Sequence, residues 1–148
     1  MRFDLLALDV HPHMLLRLLV ATLLGSLVGY ERERAGKPAG VRTQGMVSLG
    51  AALFTVVSVD GFEGTGDSAR VAAQVVSGIG FLGAGAILHG GASVQGLTTA
   101  ASLWVTAAIG MAVGVGMTVM SVATTMLVFL LLRFGPRPGL KREAEQSE

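Results

Sequence analysis

Five apolar stretches, each of about 16 to 19 residues, constrain the fold of this chain more than any other feature. They cover residues 14–30, 43–59, 70–88, 98–113 and 117–132. A helix needs roughly 20 mostly apolar residues to cross roughly 30 Å of hydrocarbon. The composition agrees, because only 14% of the residues are charged, whereas a soluble domain carries about 25%. We therefore predict an all-α, polytopic membrane bundle of five transmembrane helices.

The fourth and fifth stretches are separated only by Gly114, Val115 and Gly116. One long broken helix is the alternative here, but roughly 35 residues are too many for a single crossing. We therefore divide the chain into three parts. Residues 1–13 form a short N-terminal segment outside the membrane, residues 14–133 the five-helix membrane domain, and residues 134–148 a short cytoplasmic tail.

The basic residues are concentrated in two segments of the chain. Eight of the eleven Lys and Arg residues are Arg32, Arg34, Lys37 and Arg42 after the first stretch, and Arg133, Arg137, Lys141 and Arg142 in the tail. Loops rich in Lys and Arg remain in the cytoplasm, whereas the loop 60–69 has acidic residues and no basic one. With five crossings, the N-terminus is expected outside and the C-terminus inside. Because the cations follow the first stretch, it is expected to be a retained anchor and not a signal peptide.

Small and polar residues recur at helical spacing in every stretch. Such residues let membrane helices approach closely, and spacings of three and four place them on one face. We call each such row of residues on one helix face a stripe. The stripes are Gln44, Ser48, Ala51, Thr55 and Ser58; Asp67, Arg70, Gln74 and Ser77; Thr99, Ser102 and Thr106; and Thr118, Ser121 and Thr125. The packing glycines are Gly25, Gly29, Gly78, Gly80, Gly83, Gly85, Gly110 and Gly114. We predict that these faces meet in one tight bundle and also serve contacts in a homo-oligomer or with another membrane protein.

The segment 78–83 matches the GxGxxG pattern of dinucleotide sites. That pattern needs a preceding strand and an acidic residue about 20 positions further on. Here the surroundings are apolar and helical, and the next acidic residue is Glu143. We therefore reject a nucleotide site and predict no cofactor. The chain has no cysteine and three scattered histidines, so no metal site or catalytic pair is expected. The sequence contains no run of basic residues with interleaved aromatic residues, the pattern that would indicate nucleic-acid binding.

Ionisable residues inside a membrane region are functional candidates, because burying them is costly. Arg17 lies about one turn from the outer end of the first stretch, and it either extends to the interface or has a buried role. Asp67 and Arg70 stand at the outer entrance to the third stretch, with Gln74 deeper. Asp67 is placed as a helix cap, and a competing hypothesis pairs it with Arg17 or Arg70 in a polar site. Gln74 is expected to hydrogen-bond across helices, and the cluster 31–34 is interpreted as a solvated anchor at the headgroups.

Three segments in order resemble the signature of the MgtC/SapB family. They are residues 29–34 (Gly-Tyr-Glu-Arg-Glu-Arg) with 39–43 (Ala-Gly-Val-Arg-Thr), residues 67–85, and residues 96–104. The resemblance implies a multi-pass protein of the bacterial inner membrane with a five-helix hydrophobic domain. Family members are linked to adaptation to low magnesium and, in pathogens, to survival inside macrophages. The best-known member is thought to restrain the proton-translocating ATP synthase and has a cytoplasmic C-terminal domain, which this short form is expected to lack.

The resemblance also implies where functional residues lie. On the cytoplasmic side it indicates Glu31, Arg32, Arg42 and Thr43, and on the other side Asp67, Arg70 and Gln74. With these it indicates the glycines of the third stretch and Thr98, Thr99 and Trp104. Our leading hypothesis is a non-enzymatic regulator that acts through helix–helix contacts. The alternative is a transporter or channel for an ion such as Mg²⁺, or for a small solute, built around Arg17 and these last three residues.

Overall fold

The computed structural model describes residues 12–60, 67–90 and 93–135, which form five helices and one short hairpin. In order, the elements are α1 (Pro12–Arg34), α2 (Val41–Asp60), α3 (Ser68–Gly85), β1 (Leu88–Gly90), β2 (Ser93–Gln95), α4 (Leu97–Gly114) and α5 (Thr118–Phe134). The helices α1, α2 and α4 are long and apolar enough to cross a membrane, whereas the apolar parts of α3 and α5 are slightly shorter. The predicted helical architecture is confirmed. The sides of the membrane remain a prediction, and most of the predicted segments 1–13 and 134–148 lies outside the described residues.

The linker between α4 and α5 makes a tight turn, so the two stretches are separate helices. Gly116 has a φ of +87°, a left-handed conformation that glycine adopts without strain. The Gly116 N–H donates to the Val113 carbonyl, and the Met117 N–H donates to the Ala112 carbonyl. These bonds satisfy carbonyls at the end of α4 and exclude one continuous helix.

The third stretch ends earlier than the sequence predicts. We expected the helix to continue to Leu88, but α3 ends at Gly85, and Leu88 pairs with Gln95 in the antiparallel hairpin β1–β2. Gly96 then begins α4 with a φ of +87°, and a Cβ there would collide with the Ala86 carbonyl oxygen. Only Leu88 of this hairpin belongs to the predicted apolar stretch, and the remaining residues lie in the connection between the third and fourth stretches.

The helices α1, α2 and α4 form the closely packed part of the bundle. A Cβ at Gly25 would lie 2.5 Å from Ser48 Cβ, and one at Gly29 would lie 2.6 Å from the Gly40 carbonyl oxygen. Along α4, Gly110 stands against the Ser48 backbone. The contacts between α2 and α4 advance in the same direction along both helices, so these two helices run parallel to each other. The contacts of α1 with α2, at Gly25 with Ser48 and at Gly29 with Gly40, advance in opposite directions, so α1 is antiparallel to both.

The stripes on α2 and α4 are buried as predicted. All five α2 members and all three α4 members are buried, and on α5 the same holds for Ser121 and Thr125 while Thr118 is exposed. The α3 stripe behaves differently, because Asp67, Arg70, Gln74 and Ser77 are all exposed. The prediction that every stripe meets in one bundle is therefore wrong for α3.

The glycines of α3 are also not used for close packing within the chain. A Cβ at Gly78, Gly80 or Gly85 would meet no described atom within 4 Å, and one at Gly83 would make only an ordinary contact of 3.7 Å with Ala100. The expected close backbone contact at these glycines is absent from the described part of the chain. The third helix is held by larger side chains instead, since Ile79 packs with Ala51 and Ala107.

Candidate functional site

A groove of ≈ 970 Å³ runs between α2 and α3, and we call it the α2–α3 groove. Its apolar lining includes Met46, Val47 and Phe54 on α2, and Val75, Ile79 and Leu82 on α3. Gly50 and Gly78 also line it from these two helices. A Cβ at either glycine would meet no described atom within 4 Å, so the groove is open beside both.

One end of the α2–α3 groove carries three of the predicted site residues, Asp67, Arg70 and Gln74. All three are exposed. Asp67 occupies the N-cap position of α3, where its Oδ1 accepts a hydrogen bond of 2.9 Å from the Ala69 N–H. Such a bond satisfies one of the free backbone donors at a helix start. Asp67 therefore has the capping geometry that the sequence indicates, and it also borders a cavity.

Arg70 and Gln74 have no partner that would hold them to the bundle. Neither side chain makes a hydrogen bond or ion pair with the part of the chain that the structure describes. The expected interhelical hydrogen bond of Gln74 is therefore absent there. Because both lie on the groove-facing side of α3, a guanidinium and an amide are available to a ligand at this end.

Arg17 is not part of this site. Its Nη1 donates to the Gly114 carbonyl oxygen at 2.9 Å and lies 3.8 Å from Asp60 Oδ2. The Arg17 and Asp60 side chains are 27% and 28% exposed. The competing hypothesis that pairs Arg17 with Asp67 is wrong, because the guanidinium binds Gly114 and lies beside Asp60 at the bundle end.

The position of Arg17 follows from the polarity of helix ends. Carbonyl groups at a helix C-terminus carry partial negative charge and attract cations. Both α2 and α4 end beside Arg17, at Asp60 and Gly114. Asp60 is a residue that sequence reasoning missed as a partner, although its place at the end of the second stretch puts it on the predicted side of Arg17.

Glu31 and Arg32 are buried at the opposite end of the bundle, with exposures of 6% and 5%. The Arg32 Nη2 donates a hydrogen bond of 2.7 Å to Thr99 Oγ1 on α4. Their interpretation as a solvated anchor is wrong, because α1 continues to Arg34 and Arg32 follows the buried Val28 by one helical turn. Of the other predicted cytoplasmic residues, Arg42 and Thr43 are exposed.

A chain of buried polar contacts extends from Arg32 into the bundle. Ser102 Oγ donates to the Thr99 carbonyl oxygen at 2.8 Å, and Gln44 Nε2 donates to Ser102 Oγ at 2.8 Å. This chain joins α1, α4 and α2. The periodic stripes indicated Gln44, Thr99 and Ser102 as packing residues but did not indicate their connection to Arg32.

Glu33 is a further residue with a local role that sequence reasoning missed. Its Oε2 accepts a hydrogen bond of 3.1 Å from the Val41 N–H, the first residue of α2. A carboxylate at a helix N-terminus is favoured by the free N–H groups and by the helix dipole. Glu33 thereby fixes the short connection between α1 and α2.

The described residues do not offer a metal-binding constellation. Within 12–60, 67–90 and 93–135, no group of three or more His, Asp or Glu side chains is arranged to hold a metal ion. What the groove end offers instead is one cation, one carboxylate and one amide beside an apolar cavity. This combination suits an amphiphilic ligand or a polar contact near the membrane surface.

Comparison with known proteins gives a family match over most of the chain. The model described as "MgtC family" matches residues 18–138. "Protein MgtC" of Salmonella typhimurium strain LT2 is 48% identical over 77 residues, which are 52% of this chain and 32% of the relative. "Putative magnesium transporter YhiD" of Escherichia coli strain K12 is 44% identical over 81 residues, which are 50% of this chain and 38% of the relative.

A third relative, an "Uncharacterized protein" of Haemophilus influenzae strain Rd, is 44% identical over 81 residues, which are 49% of this chain and 34% of the relative. In these three matches the chain spans about a third of the length of the curated relatives. No solved structure gives a significant match.

Proposed function

Because this chain belongs to the MgtC family, we propose that it is a non-enzymatic protein of the bacterial inner membrane that regulates a partner through helix–helix contact. The partner is a second copy of the chain or another membrane protein. In this proposal the chain crosses the membrane five times and contributes to adaptation to low magnesium or related stress.

The observation that carries this proposal is the exposed face of α3. Ala73, Ser77, Gly80 and Ala84 are spaced four, three and four residues apart, so they share one face, and all four are exposed. We call them the α3 outer face. In α1, α2 and α4 the corresponding small-residue faces are buried inside the bundle. Within the ranges 12–60, 67–90 and 93–135, no residue covers the α3 outer face, which makes it a candidate surface for a helix from outside this chain.

A small-residue face is suited to bind a helix in a membrane. In lipid there is no hydrophobic gain from burying apolar surface, so helix association depends on close packing and on interhelical hydrogen bonds. Small residues allow the two backbones to approach, and Ser77 adds a hydroxyl. Because the chain has no cysteine, a Ser77→Cys variant carries a single thiol for cross-linking at this face.

The proposal is tested by cross-linking Ser77→Cys in cells, with and without Gly80→Leu, together with growth at low magnesium of a strain that depends on this chain. We expect a specific cross-linked species, either a homodimer or one hetero-complex, and we expect Gly80→Leu to abolish both the species and growth. Gly85→Leu is the matched control, because Gly85 is an exposed α3 glycine outside both the α3 outer face and the groove lining, where a Cβ meets no described atom within 4 Å. Equal cross-linking and growth of the Gly80→Leu variant and the unmodified background would contradict the proposal.

A transporter is the second candidate function, and the polar end of the α2–α3 groove favours it. The magnesium in the name of one relative makes Mg²⁺ the cation to test. Mg²⁺ prefers carboxylate ligands and bound waters, yet the sequence has no acidic residue between Arg70 and Leu132. Flux into proteoliposomes decides the question. Uptake that Asp67→Asn abolishes would support transport, because Asn retains cap competence, and absence of uptake would leave the regulator.

A further inference from the structure

The α2–α3 groove has the length of an acyl chain and its headgroup. The helix α3 has 18 residues, and at 1.5 Å per residue its length is about 27 Å. The hydrocarbon core is roughly 30 Å thick, so in the five-span arrangement proposed above, on which this step rests, the first turn of α3 lies at the headgroup boundary. From Arg70 to Leu82 the groove runs for about 18 Å, which is near the roughly 15 Å of hydrocarbon in one leaflet.

The groove is long enough for an extended chain. From Asp67 to Leu82 it extends about 22 Å along α3, with a volume of ≈ 970 Å³. An acyl chain that lies along the groove contacts its apolar lining residues over this length.

The polar end of the groove provides complementary charges for a zwitterionic headgroup. The Arg70 guanidinium has no partner among the described residues, and guanidinium groups bind phosphate through paired, charge-assisted hydrogen bonds. The Asp67 carboxylate uses Oδ1 for the helix cap and has a second oxygen that can accept from an ammonium group. Gln74, one turn below Arg70, can donate to an ester oxygen.

We propose that the α2–α3 groove binds one phospholipid with an amino headgroup, of the phosphatidylethanolamine type. Its phosphate contacts Arg70, its ammonium group contacts Asp67, and its acyl chain lies along the apolar walls beside Gly50 and Gly78. The apolar part of this site, beside Gly50 and Gly78, is separate from the α3 outer face, which Arg70 borders, and the lipid contact does not require the helix contact proposed there.

The headgroup contact is tested on the full chain in nanodiscs that contain phosphatidylethanolamine, phosphatidylglycerol and phosphatidylcholine in equal amounts. Native mass spectrometry then measures the lipid that remains bound. We expect one phosphatidylethanolamine per chain, and Arg70→Gln should reduce its retention by about tenfold. Arg133→Gln is the matched control, because Arg133 is an exposed guanidinium in the last turn of α5, outside the groove. Equal loss in both variants, or equal retention of the three lipids, would overturn the proposal.

The position of the acyl chain is tested by filling the groove. Gly78→Leu places a side chain in the groove at a position where a Cβ meets no described atom, so the fold should be preserved. Bound phosphatidylethanolamine should be lost in Gly78→Leu and retained in Gly80→Leu, which adds the same side chain to the α3 outer face. Retention in Gly78→Leu would overturn the proposal, as would a change of its oligomeric state in place of lipid loss, which would assign the groove to a second copy.

Discussion

Gly110 is the point of closest approach between α2 and α4. A Cβ at this position would collide with the Ser48 carbonyl oxygen and lie 2.9 Å from Ser48 Cα. Both contacts are with backbone atoms, which cannot move aside as the end of a flexible side chain can. At this one residue, the absence of a side chain determines the distance between two helices.

Replacing Gly110 by Ala is therefore expected to destabilise the bundle. Overpacking at such a site costs about 1–3 kcal/mol, more than Ala gains over Gly in helix propensity, about 1 kcal/mol. Gly50→Ala makes the same substitution in α2 where a Cβ meets no described atom within 4 Å, and it should be neutral or stabilising. Thermal unfolding in detergent measures both. Equal stability of the two variants would show that α2 and α4 are not in close contact.

At the scale of the elements, Arg17 connects three of them. It lies on α1, binds the last carbonyl of α4 and faces the last residue of α2. A Cβ at Gly116 would lie 3.3 Å from its Nη2, so the α4–α5 linker also packs on the guanidinium. This one side chain thus positions the start of α5 relative to the first two helices.

The Arg17→Gln variant should loosen the α4–α5 linker. The lost hydrogen bond to a charged donor is worth roughly 1.5–3 kcal/mol when buried, and partial exposure reduces this to about 1 kcal/mol. Asp60→Asn should have a smaller effect, because its contact of 3.8 Å is longer than the 2.9 Å bond to Gly114. Hydrogen exchange of residues 114–118 reports the change. A larger effect of Asp60→Asn would mean that the ion pair, and not the carbonyl, holds the linker.

The sequence predicts where helices form better than it predicts which helices pack against each other. The stripes on α2 and α3 have similar helical spacing, yet Gln44 is fully buried and Gln74 is exposed. Periodicity identifies residues that share a face, but it does not tell which neighbour covers that face. The groove end at Asp67 and Arg70 could be expected from their positions, whereas its apolar cavity depends on how far α3 stands from α2.

Two features could not be expected from local patterns. The hairpin β1–β2 begins at Leu88, the end of a predicted apolar stretch, and the close approach of Gly96 to the Ala86 carbonyl oxygen, which requires glycine before α4, is visible only in the structure. The burial of Arg32 depends on Thr99, which is 67 residues away. Contacts of this kind have no local signal in the chain.

For the whole molecule, the alternating direction of the helices determines which helix ends lie together and therefore how the bundle is oriented in the membrane. The carboxyl end of α1 lies with the amino ends of α2 and α4, as the bond from Arg32 to Thr99 and the one from Gln44 to Ser102 require. The basic segment after α1 lies at this end. Cytoplasmic retention of Lys and Arg therefore makes this end the cytoplasmic one in our prediction, with Arg17 and Asp60 at the opposite end.

Reporter fusions test this orientation. A fluorescent protein that matures only in the cytoplasm should fluoresce when fused after Glu148, and alkaline phosphatase, which is active only outside, should be active when inserted after Glu63. Five crossings require both results, since the two positions are separated by an odd number of helices. Phosphatase activity at the C-terminus, or fluorescence from an insertion after Glu63, would contradict the predicted five-span topology.

The buried bond between Arg32 and Thr99 has a consequence for synthesis of the chain. At 5–20 residues per second, the 67 residues between the two take roughly 3 to 13 s to make. During that interval α2 and α3 are synthesised, and the Arg32 guanidinium lacks its α4 acceptor until Thr99 is made. A chain interrupted before Thr99 therefore lacks the side-chain acceptor that Arg32 uses in the folded bundle. Synthesis of α4 supplies that acceptor, so the bond that joins the first and fourth helices can form before α5 completes the bundle.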